Sequence, residues 1–523
     1  MLSLTQFVSR AVQINPKGTA TICGERRQTW GEFADRVART AGLLKALGLK
    51  DNERVGILSH NSDVYLEYLF AIPWAGGVSV PINTRLATPE IHYCLNDSDA
   101  KFLVVADPFV DAVQSFKSEC AHLQHIIHTG STQVPETVFS HEKLINSADA
   151  VADAGRRDSD LLALFYTGGT TGRAKGVMIS HEGMYINILQ WINAVGVTGD
   201  DRFVITPPMF HAAGGENSMA VVALAATAYF MPQFEVKTLL AALEKEQLTK
   251  VPLVATMLDM LVNHADVEEF DLSSVSKITY GASPIPQRTL KRALQVLPNA
   301  SFCQIFGQTE GGPAVTALPP KYHQLDGPNA GRLKSVGFPL IGVDLSIQSE
   351  SGEPLGRNEI GEICVRGPGV SPGYWKMPDT TAASKRNGWL LTGDAGYLDD
   401  DGLLYIADRI KDMIISGGEN VYPAEVENVL LLHTAIAECA VIGIPSEQWG
   451  EQVHAIVRLK ERESTEAALT EAELIDHCRA HIAAYKCIRS VEFRNEPFPI
   501  SAANKVLKRE LREPYWLGRD RKI

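Results

Sequence analysis

The sequence predicts an α/β protein: a large multi-layer α/β N-terminal domain with a small β-rich subdomain, plus a smaller, mobile α+β C-terminal domain. Residues 1–330 alternate strand-like and helix-like segments, which is typical of largely parallel sheets covered by helices. Residues 343–410 change to short alternating segments separated by Gly/Asp turns, which indicates a small antiparallel sheet. The remaining residues carry strand and helix signals of their own and are numerous enough for a separate domain. We therefore expect an N-terminal domain at residues 1–410 and a C-terminal domain at residues 411–523.

The first elements can be assigned in chain order from their apolar patterns. Residues 54–58 read as a strand, residues 63–75 as a helix with an apolar face, and residues 101–105 as the next strand. Residues 217–233 form the longest nearly uncharged stretch, which is shorter than a membrane span and rich in small residues. We expect this stretch to be a buried helix that passes into a strand, so no integral membrane segment is predicted.

Composition limits the partners and the compartment. The 523-residue chain has a formal net charge of −13, which argues against nucleic acid as a partner because phosphate backbones require a basic surface. None of the eight cysteines belongs to a C-x-x-C pair, and buried thiols in a reducing compartment fit this pattern. The first residues lack a basic region followed by an apolar core, so we expect no signal peptide and a cytoplasmic protein.

The most informative stretch is Tyr-Thr-Gly-Gly-Thr-Thr-Gly-Arg-Ala-Lys-Gly at residues 166–176. It follows an apolar run at residues 161–165 that reads as a buried strand. Backbone N–H groups freed by glycine, threonine hydroxyls and an ammonium group are what a polyphosphate needs. A surface turn is the alternative interpretation of a glycine cluster, but the hydroxyls together with Arg173 and Lys175 argue against it. No Gly-Lys-Ser/Thr follows, so the stretch is not a Walker A loop.

This stretch closely resembles the phosphate loop of the adenylate-forming enzymes, which include acyl-CoA synthetases, luciferases and peptide-synthetase adenylation domains. Further motifs follow in the family's order along nearly the whole chain. The family usually has proline before the lysine, whereas Ala174 stands there in this chain, which should loosen the loop without removing a ligand group. The resemblance implies that the nucleotide phosphates are bound by Thr167, Gly168, Gly169, Thr170, Thr171, Gly172 and Lys175.

Residues 207–211, Pro-Pro-Met-Phe-His, match the segment that closes the acid pocket in this family. A histidine after an apolar strand is more often a satisfied structural group than a catalyst. In acyl- and aryl-CoA synthetases, however, an aromatic residue or a histidine gates the pocket here, whereas amino-acid adenylation domains carry an aspartate. The resemblance therefore implies His211 as the gate and disfavours an amino-acid substrate. The small residues 212–215 either extend the pocket past His211 or allow a tight helix contact.

Two further strand ends resemble the nucleotide-binding segments of the family. They are Tyr-Gly-Ala-Ser-Pro at residues 280–284 and Phe-Gly-Gln-Thr-Glu at residues 306–310. The resemblance implies that Thr309 touches the α-phosphate and that Glu310, with Thr167, holds Mg²⁺, an ion that takes few carboxylates and completes its shell with water and phosphate oxygens. Contacts to the adenine and to the carboxylate end of the acyl group would come from Gly281, Ala282, Ser283, Phe306 and Gly307.

Residues 389–394, Trp-Leu-Leu-Thr-Gly-Asp, match the family's ribose-binding segment. A carboxylate can accept hydrogen bonds from both ribose hydroxyls, which gives that role to Asp394. Arg409 is similar to the family arginine that also reaches ribose or phosphate, and Lys411 falls where the family places its interdomain hinge.

Residues 413–423 open the smaller domain and are similar to the loop that lines the pantetheine tunnel in CoA-using members. The resemblance makes Gly418 the wall of the tunnel and allows Glu419 to meet His211. Trp449 matches a tryptophan near the pantetheine arm, although a tryptophan that fills the core of this domain explains it equally well. Arg85 resembles an arginine that contacts CoA phosphate in some members, although a surface arginine needs no special explanation.

Near the end of the chain, Pro-Ile-Ser-Ala-Ala-Asn-Lys at residues 499–505 resembles the family's Pro-Lys-Thr-x-x-Gly-Lys. The resemblance implies that Lys505 is the catalytic lysine that bridges the acyl carboxylate and the α-phosphate. Asn504 replaces the usual glycine, and asparagine tolerates a left-handed backbone, so the turn can survive.

The resemblance implies a ligase that uses ATP, Mg²⁺ and coenzyme A on a small-molecule carboxylic acid. An acyl-adenylate forms first, and CoA then takes the acyl group and releases AMP. The acid is left open among medium- or long-chain fatty, aryl and alicyclic acids, and a homodimer is left open as well. Two alternatives are an acyl-adenylating enzyme that loads a carrier protein and a non-catalytic ATP-binding protein on the same fold. The catalytic roles fall to Lys505, Glu310, His211, Thr167 and Lys175.

Three histidines at three-residue spacing, His122, His125 and His128, could be taken for a metal site. Residues 123–128 alternate like a strand, which places His125 and His128 on opposite faces. We therefore expect no metal ion to be bound there.

Overall fold

The computed structural model describes residues 1–133, 135–167, 173–281, 285, 287–417, 419–460, 469–500 and 506–517. Two of its four sheets are large and mostly parallel. The helices are α1 (Gln6–Ile14), α2 (Trp30–Ala46), α3 (Asp63–Trp74), α4 (Thr88–Asp97), α5 (Val113–Glu119), α6 (His141–Ile145), α7 (His181–Val195), α8 (Ala212–Leu224), α9 (Val236–Lys245), α10 (Ala255–Val262), α11 (Gln287–Val296), α12 (Pro378–Ala383), α13 (Pro423–Leu430), α14 (Glu471–His481) and α15 (Lys508–Arg512).

The strands of the first half of the chain are β1 (Thr19–Cys23), β2 (Arg26–Thr29), β3 (Arg54–Leu58), β4 (Val78–Pro81), β5 (Ala100–Val105), β6 (His125–His128), β7 (Phe139–Ser140), β8 (Leu161–Thr167), β9 (Lys175–Ser180), β10 (Arg202–Ile205), β11 (Thr227–Phe230) and β12 (Lys250–Val254). The later strands are β13 (Lys277–Gly281), β14 (Ser301–Gln308), β15 (Gly312–Leu318), β16 (Phe338–Pro339), β17 (Asp344–Gln348), β18 (Gly361–Arg366), β19 (Lys385–Arg386), β20 (Trp389–Leu398), β21 (Leu404–Arg409), β22 (Ile414–Ser416), β23 (Glu419–Val421), β24 (Ile436–Ser446), β25 (Gly450–Leu459) and β26 (Ser490–Phe493).

The two large sheets confirm the α/β class. The nine-stranded sheet has the order β16-β15-β14-β13-β12-β10-β11-β1-β2, and its strands from β14 to β1 run parallel. The seven-stranded sheet has the order β7-β6-β5-β3-β4-β8-β9, and only its β8–β9 pair is antiparallel. Parallel neighbours require crossover connections, which the helices between these strands supply.

Two five-stranded sheets follow in the later part of the chain. One has the order β17-β18-β20-β19 with β21 paired to β20, and the other has the order β23-β22-β25-β24 with β26 paired to β25. The β19–β20–β21 pairs are antiparallel, as predicted for residues 343–410.

The chain divides into two compact units. The first comprises Met1–Leu345 and Val365–Leu390, and the second comprises Ser346–Cys364 and Leu391–Ile523. The domain boundary between residues 410 and 411 stays a prediction.

The early elements illustrate how local sequence determines the layers. Strand β3 has the predicted bounds, and α3 begins at Asp63 because the Ser62 hydroxyl accepts a hydrogen bond from the Tyr65 N–H. Every residue of α3 from Asp63 to Pro73 is buried, so the helix is covered on all sides and not only on the apolar face that the sequence predicted. In the part of the chain that the structure describes, no helix is both long and apolar enough to cross a bilayer.

Candidate functional site

The predicted phosphate loop connects two antiparallel strands. Thr167 ends β8 and Lys175 begins β9, and the two residues lie directly opposite each other in the ladder. Thr167 and Lys175 therefore lie where the loop leaves β8 and enters β9, a place that we call the mouth of the β8–β9 hairpin. The remaining predicted loop residues lie outside the described residues: Gly168, Gly169, Thr170, Thr171 and Gly172.

Glu310 lies at this same mouth. The Thr167 hydroxyl donates a hydrogen bond to Glu310 Oε1 at 3.4 Å, and the Tyr374 hydroxyl donates to the same oxygen at 3.0 Å. The Lys175 ammonium lies over the Tyr374 ring, 5.2 Å from its centroid. The hydroxyl and the ammonium group of one hairpin and a carboxylate from a distant part of the sequence are thus grouped within one compact unit.

Tyr374 was not predicted as a site residue. It follows a Ser-Pro-Gly stretch at residues 371–373, whose composition is that of an ordinary turn. Its contacts with Lys175 and Glu310 are made only in the folded chain, so no local pattern marks it.

The predicted adenine segments end two neighbouring parallel strands, β13 and β14. Gly281 faces Ile305 across this pair, and a Cβ atom at Gly281 would lie 2.2 Å from the Ile305 carbonyl oxygen. A Cβ at Gly307 would lie 2.2 Å from the Pro313 carbonyl oxygen. Both positions therefore require glycine for close backbone approach.

Phe306 and Thr309 are half-buried beside these glycines, at the end of β14 and in the turn after it. The same turn carries Glu310. The predicted neighbours Ala282 and Ser283 lie outside the described residues.

His211 occupies the N-cap position of α8 and is half-buried, with its ring centroid 4.7 Å from that of Phe210. A Cβ atom at Gly214 would lie 2.1 Å from the Pro208 carbonyl oxygen, and one at Gly215 would lie 3.3 Å from the Phe165 ring. Of the two explanations for the small residues 212–215, the tight helix contact accounts for Gly214.

Glu216 lies on the second turn of α8 and is 1% exposed, and its Oε1 atom has no hydrogen-bond partner. Burial raises the pKa of this carboxyl well above its usual range, which favours its uncharged form. Glu216 is the one acidic side chain of α8, Ala212–Leu224. No local pattern marks Glu216, because a glutamate within a run of small residues has the same pattern whether it is buried or exposed.

The predicted ribose residues lie side by side on β20 and β21. Asp394 and Arg409 are opposite each other in the ladder, and Arg409 Nε lies 2.7 Å from Asp394 Oδ1. Asp394 is buried, and its backbone N–H donates to the Thr392 hydroxyl at 3.1 Å. The pair presents a fixed carboxylate beside a guanidinium, a combination that can bind hydroxyl and phosphate groups.

Trp449 packs within the second unit. The Gly417 N–H donates to the Trp449 carbonyl at 2.8 Å, and a Cβ at Gly417 would lie 2.8 Å from the indole ring. The Arg489 guanidinium lies 4.1 Å from the ring centroid. Trp449 thus contacts the loop that Gly417 begins, and the two predicted residues Gly418 and Lys505 lie outside the described residues.

Three predicted positions remain: Arg85, Lys411 and Glu419. Arg85 is exposed, and its backbone N–H donates to Asn83 Oδ1 at 2.9 Å. Lys411 lies in the short turn Ile410–Asp412, and burial lowers the pKa of its ammonium group. Glu419 is exposed at the start of β23.

Among the described residues, no three His, Cys, Asp or Glu side chains are grouped as a metal site would require. His125 and His128 both lie on β6, and the buried His128 ring pairs with Asp107 at 2.7 Å. Glu310 with Thr167 still fits Mg²⁺ bound to a nucleotide, because that ion needs one or two carboxylates when phosphates and water complete its shell.

Comparisons with known proteins identify the family of this chain. Residues 8–375 match the family model described as AMP-binding enzyme, and residues 425–505 match the model of the AMP-binding enzyme C-terminal domain. The chain belongs to the AMP-binding enzyme family. The resemblance to adenylate-forming enzymes is confirmed, and this AMP-binding enzyme is an AMP-forming acid–thiol ligase with a large N-terminal and a smaller C-terminal domain.

Relatives of this AMP-binding enzyme cover nearly its whole length. A feruloyl-CoA synthase of Amycolatopsis sp is 34% identical over 97% of this chain and 98% of its own. A fatty acid–[acyl-carrier-protein] ligase of Streptomyces coeruleorubidus is 33% identical over 100% of this chain and 98% of its own. The structure of o-succinylbenzoate CoA synthetase from Bacillus subtilis, in complex with the acyl-adenylate intermediate, superimposes with a TM-score of 0.84 at 30% identity and covers 97% of each chain.

Proposed function

We propose that this enzyme activates a carboxylic acid with ATP and transfers the acyl group to the thiol of CoA, with release of AMP. The observation that carries the proposal is the grouping of Thr167, Lys175 and Glu310 at the mouth of the β8–β9 hairpin. A hydroxyl and an ammonium group there suit phosphate oxygens, and the carboxylate suits the Mg²⁺ that accompanies ATP. The proposal also assigns Asp394 and Arg409 to the ribose of the same nucleotide.

The proposed reaction has two steps. A carboxylate oxygen of the acid attacks the α-phosphorus of ATP, the bond to pyrophosphate breaks, and an acyl-adenylate forms. The thiolate of CoA then attacks the acyl carbonyl, and AMP leaves with the electron pair of the broken carbon–oxygen bond. No side chain of the enzyme is a nucleophile, since the adenylate is already the activated intermediate.

The residues of the chain contribute charge and orientation. Lys175 and Thr167 hold the phosphates, and Lys505 stabilises the negative charge that develops on the transferring phosphoryl group. When bound to Glu310, Mg²⁺ neutralises phosphate charge. A turn about Lys411 brings the Gly418 loop to the carbonyl for the second step, because one cleft cannot hold that loop and Lys505 at the same atom together.

For the acid, we propose a medium- or long-chain fatty acid or an aryl acid. The feruloyl-CoA synthase and fatty-acid ligase relatives support this class. The one carboxyl of α8 is Glu216, and its burial favours the uncharged form, which pairs poorly with a substrate ammonium group. A homodimer and a cytoplasmic location stay predictions.

Transfer to a carrier-protein thiol is the second candidate function. One observation favours it: the fatty acid–[acyl-carrier-protein] ligase matches the whole of this chain. The two candidates share the adenylation step and differ only in the thiol that takes the acyl group. Supplying CoA or a phosphopantetheinylated carrier protein to the preformed acyl-adenylate distinguishes them.

Replacement of Lys505 tests whether this residue acts in adenylate formation and not in thioester formation. We expect Lys505→Ala to slow adenylate formation by about a hundredfold or more, because the charge on the phosphoryl group loses its counter-ion. Formation of the thioester from supplied acyl-adenylate should be largely kept. The two half-reactions are measured separately, by pyrophosphate release and by thioester yield. Lys460→Ala, which removes an exposed lysine of the same unit, is the matched control and should leave both rates unchanged. Equal loss of both half-reactions in Lys505→Ala would exclude the assigned role.

A further inference from the structure

A segment at residues 371–375, which we call the strap, connects Glu310 to the β8–β9 hairpin. The Ser371 N–H donates to the Glu310 carbonyl at 2.8 Å, and the Trp375 N–H donates to the Gly176 carbonyl at 2.7 Å. The strap is thus tied at one end to the residue that carries the carboxylate and at the other to the strand that begins with Lys175. None of its residues belongs to a motif that was assigned to the reaction.

Tyr374 is the residue of the strap that contacts both the Glu310 carboxylate and the Lys175 ammonium group. Its hydroxyl donates to Glu310 Oε1 at 3.0 Å, and the Lys175 ammonium lies 5.2 Å from the centroid of its ring. The Tyr374 backbone N–H donates to the Thr381 hydroxyl at 2.9 Å, which fixes the start of the side chain. One side chain therefore contacts the carboxylate with its hydroxyl and the cation with its ring.

A cavity of about 520 Å³ lies beside the strap, and its walls include Tyr374, Met178 and Met377. The Lys385 ammonium donates to the carbonyl oxygens of Ser371 at 2.9 Å and Pro372 at 3.0 Å. Tyr374 lines this cavity and also packs against the buried core of the first unit, so both packing and hydrogen bonds hold its position. Removing its hydroxyl should release the Glu310 carboxylate without creating a new cavity in a packed core.

We propose that Tyr374 is a positioning residue for the metal–nucleotide site: its hydroxyl orients the Glu310 carboxylate toward Mg²⁺, and its ring supports the Lys175 ammonium. Groups that hydrogen-bond to a metal-binding carboxylate fix its orientation and strengthen metal binding. An aromatic face attracts an ammonium group and favours one position for it. The proposal rests on the proposed function, because it takes Glu310 as the ligand of the Mg²⁺ that accompanies ATP.

The test is the dependence of ATP affinity on Mg²⁺, measured by calorimetry on the full chain. Tyr374→Phe keeps the ring under Lys175 and removes only the hydroxyl. We expect the gain in ATP affinity on adding Mg²⁺ to fall about tenfold in this variant. ATP affinity without Mg²⁺ should change by less than about twofold, since the phosphate contacts do not depend on the hydroxyl.

Two further variants separate the roles of the hydroxyl and the ring. Tyr374→Leu removes both, so ATP affinity without Mg²⁺ should also fall, by about fivefold or less. Tyr185→Phe is the matched control: its half-buried ring stacks on Phe7 at 4.5 Å and its hydroxyl contacts Gln6. This control should keep the full effect of Mg²⁺.

An unchanged Mg²⁺ effect in Tyr374→Phe would overturn the proposal, and so would an equal loss in Tyr185→Phe. Absence of ATP binding by the unaltered chain would instead contradict the proposed function. Failure of the positioning role and failure of the enzyme assignment are therefore distinguishable.

Discussion

Lys250 is a lysine buried at the first position of β12, with 0% of its surface exposed. Its ammonium group donates to the Thr279 hydroxyl and lies 5.4 Å from the centroid of the Trp191 ring. Burial lowers its pKa to about 7, a shift that Cys303 and Asp201 oppose and Lys277 reinforces. We therefore expect this single residue, which lies outside the candidate site, to make stability depend on pH between about pH 7 and 10.5.

We predict that Lys250→Met changes the pH dependence of stability. Between pH 7 and 10.5 the unfolded chain holds a proton on this lysine that the folded chain lacks, so the free energy of unfolding of the unaltered chain rises with pH. Each pH unit is worth about 1.4 kcal/mol for one such group. The stabilisation by Lys250→Met should therefore be largest at pH 7 and shrink toward pH 10.

Denaturant unfolding at pH 7, 8, 9 and 10 measures this difference. Lys237→Met removes an exposed lysine paired with Asp266 and should give a pH profile parallel to that of the unaltered chain. A parallel profile for Lys250→Met as well would show that Lys250 keeps its proton in the folded state and would contradict the prediction.

Local sequence marked some residues of the candidate site but not the residues that contact them. The hydroxyls, glycines and ammonium group around Thr167 and Lys175 indicated phosphate from their residue types, whereas the Mg²⁺ role of Glu310 came from the family resemblance, and these roles stay predictions. Tyr374 and Glu216 have ordinary neighbours in the sequence. Tyr374 is singled out by its contacts with Glu310 and Lys175, which are distant in the sequence, and Glu216 by its burial. Neighbouring residues in the sequence encode neither feature.

At the scale of elements, α8 shows how a helix is fitted to a loop. We predict that Gly214→Ala destabilises the chain by about 2 kcal/mol, because its Cβ would lie 2.1 Å from the Pro208 carbonyl oxygen and the backbone must move. The displaced segment ends at His211, so the KM for the acid should rise together with the loss of stability. Denaturant unfolding and steady-state kinetics measure the two effects.

The neighbouring glycine supplies the comparison. A Cβ at Gly215 would meet the Phe165 ring at 3.3 Å and the Met209 carbonyl oxygen at 3.6 Å, so a small movement of one side chain accommodates it. Gly215→Ala should therefore cost less than about 1 kcal/mol. Equal effects of the two substitutions would mean that helix propensity, and not the contact with Pro208, determines the outcome.

Elements with strong local patterns were predicted well. Strand β3 was found at its predicted residues, and residues 217–233 contain the end of α8 and all of β11, as expected for a helix that passes into a strand. These assignments depend on apolar periodicity, which neighbouring residues supply. The explanation of residues 212–215 stayed open because a pocket and a tight contact require the same small side chains.

At the scale of the whole molecule, the α/β class followed from the alternation of elements, but the order of strands did not. Strand β1 lies next to β11 in the nine-stranded sheet, although more than 200 residues separate Ile22 from its partner Tyr229. Such pairing is determined by which apolar faces cover each other, and no short stretch of sequence contains that information. The same limit applies to domain boundaries. The chain passes from one compact unit to the other after residues 345, 364 and 390.

The central claim is that the whole chain is an AMP-forming ligase that transfers an acyl group to CoA. AMP release should be measured with ATP, Mg²⁺ and a panel of fatty and aryl acids, each with and without CoA. We predict AMP release that requires both CoA and one class of acid. Pyrophosphate release that CoA does not affect would shift the assignment to loading of a carrier protein, and no release with any acid would contradict the claim.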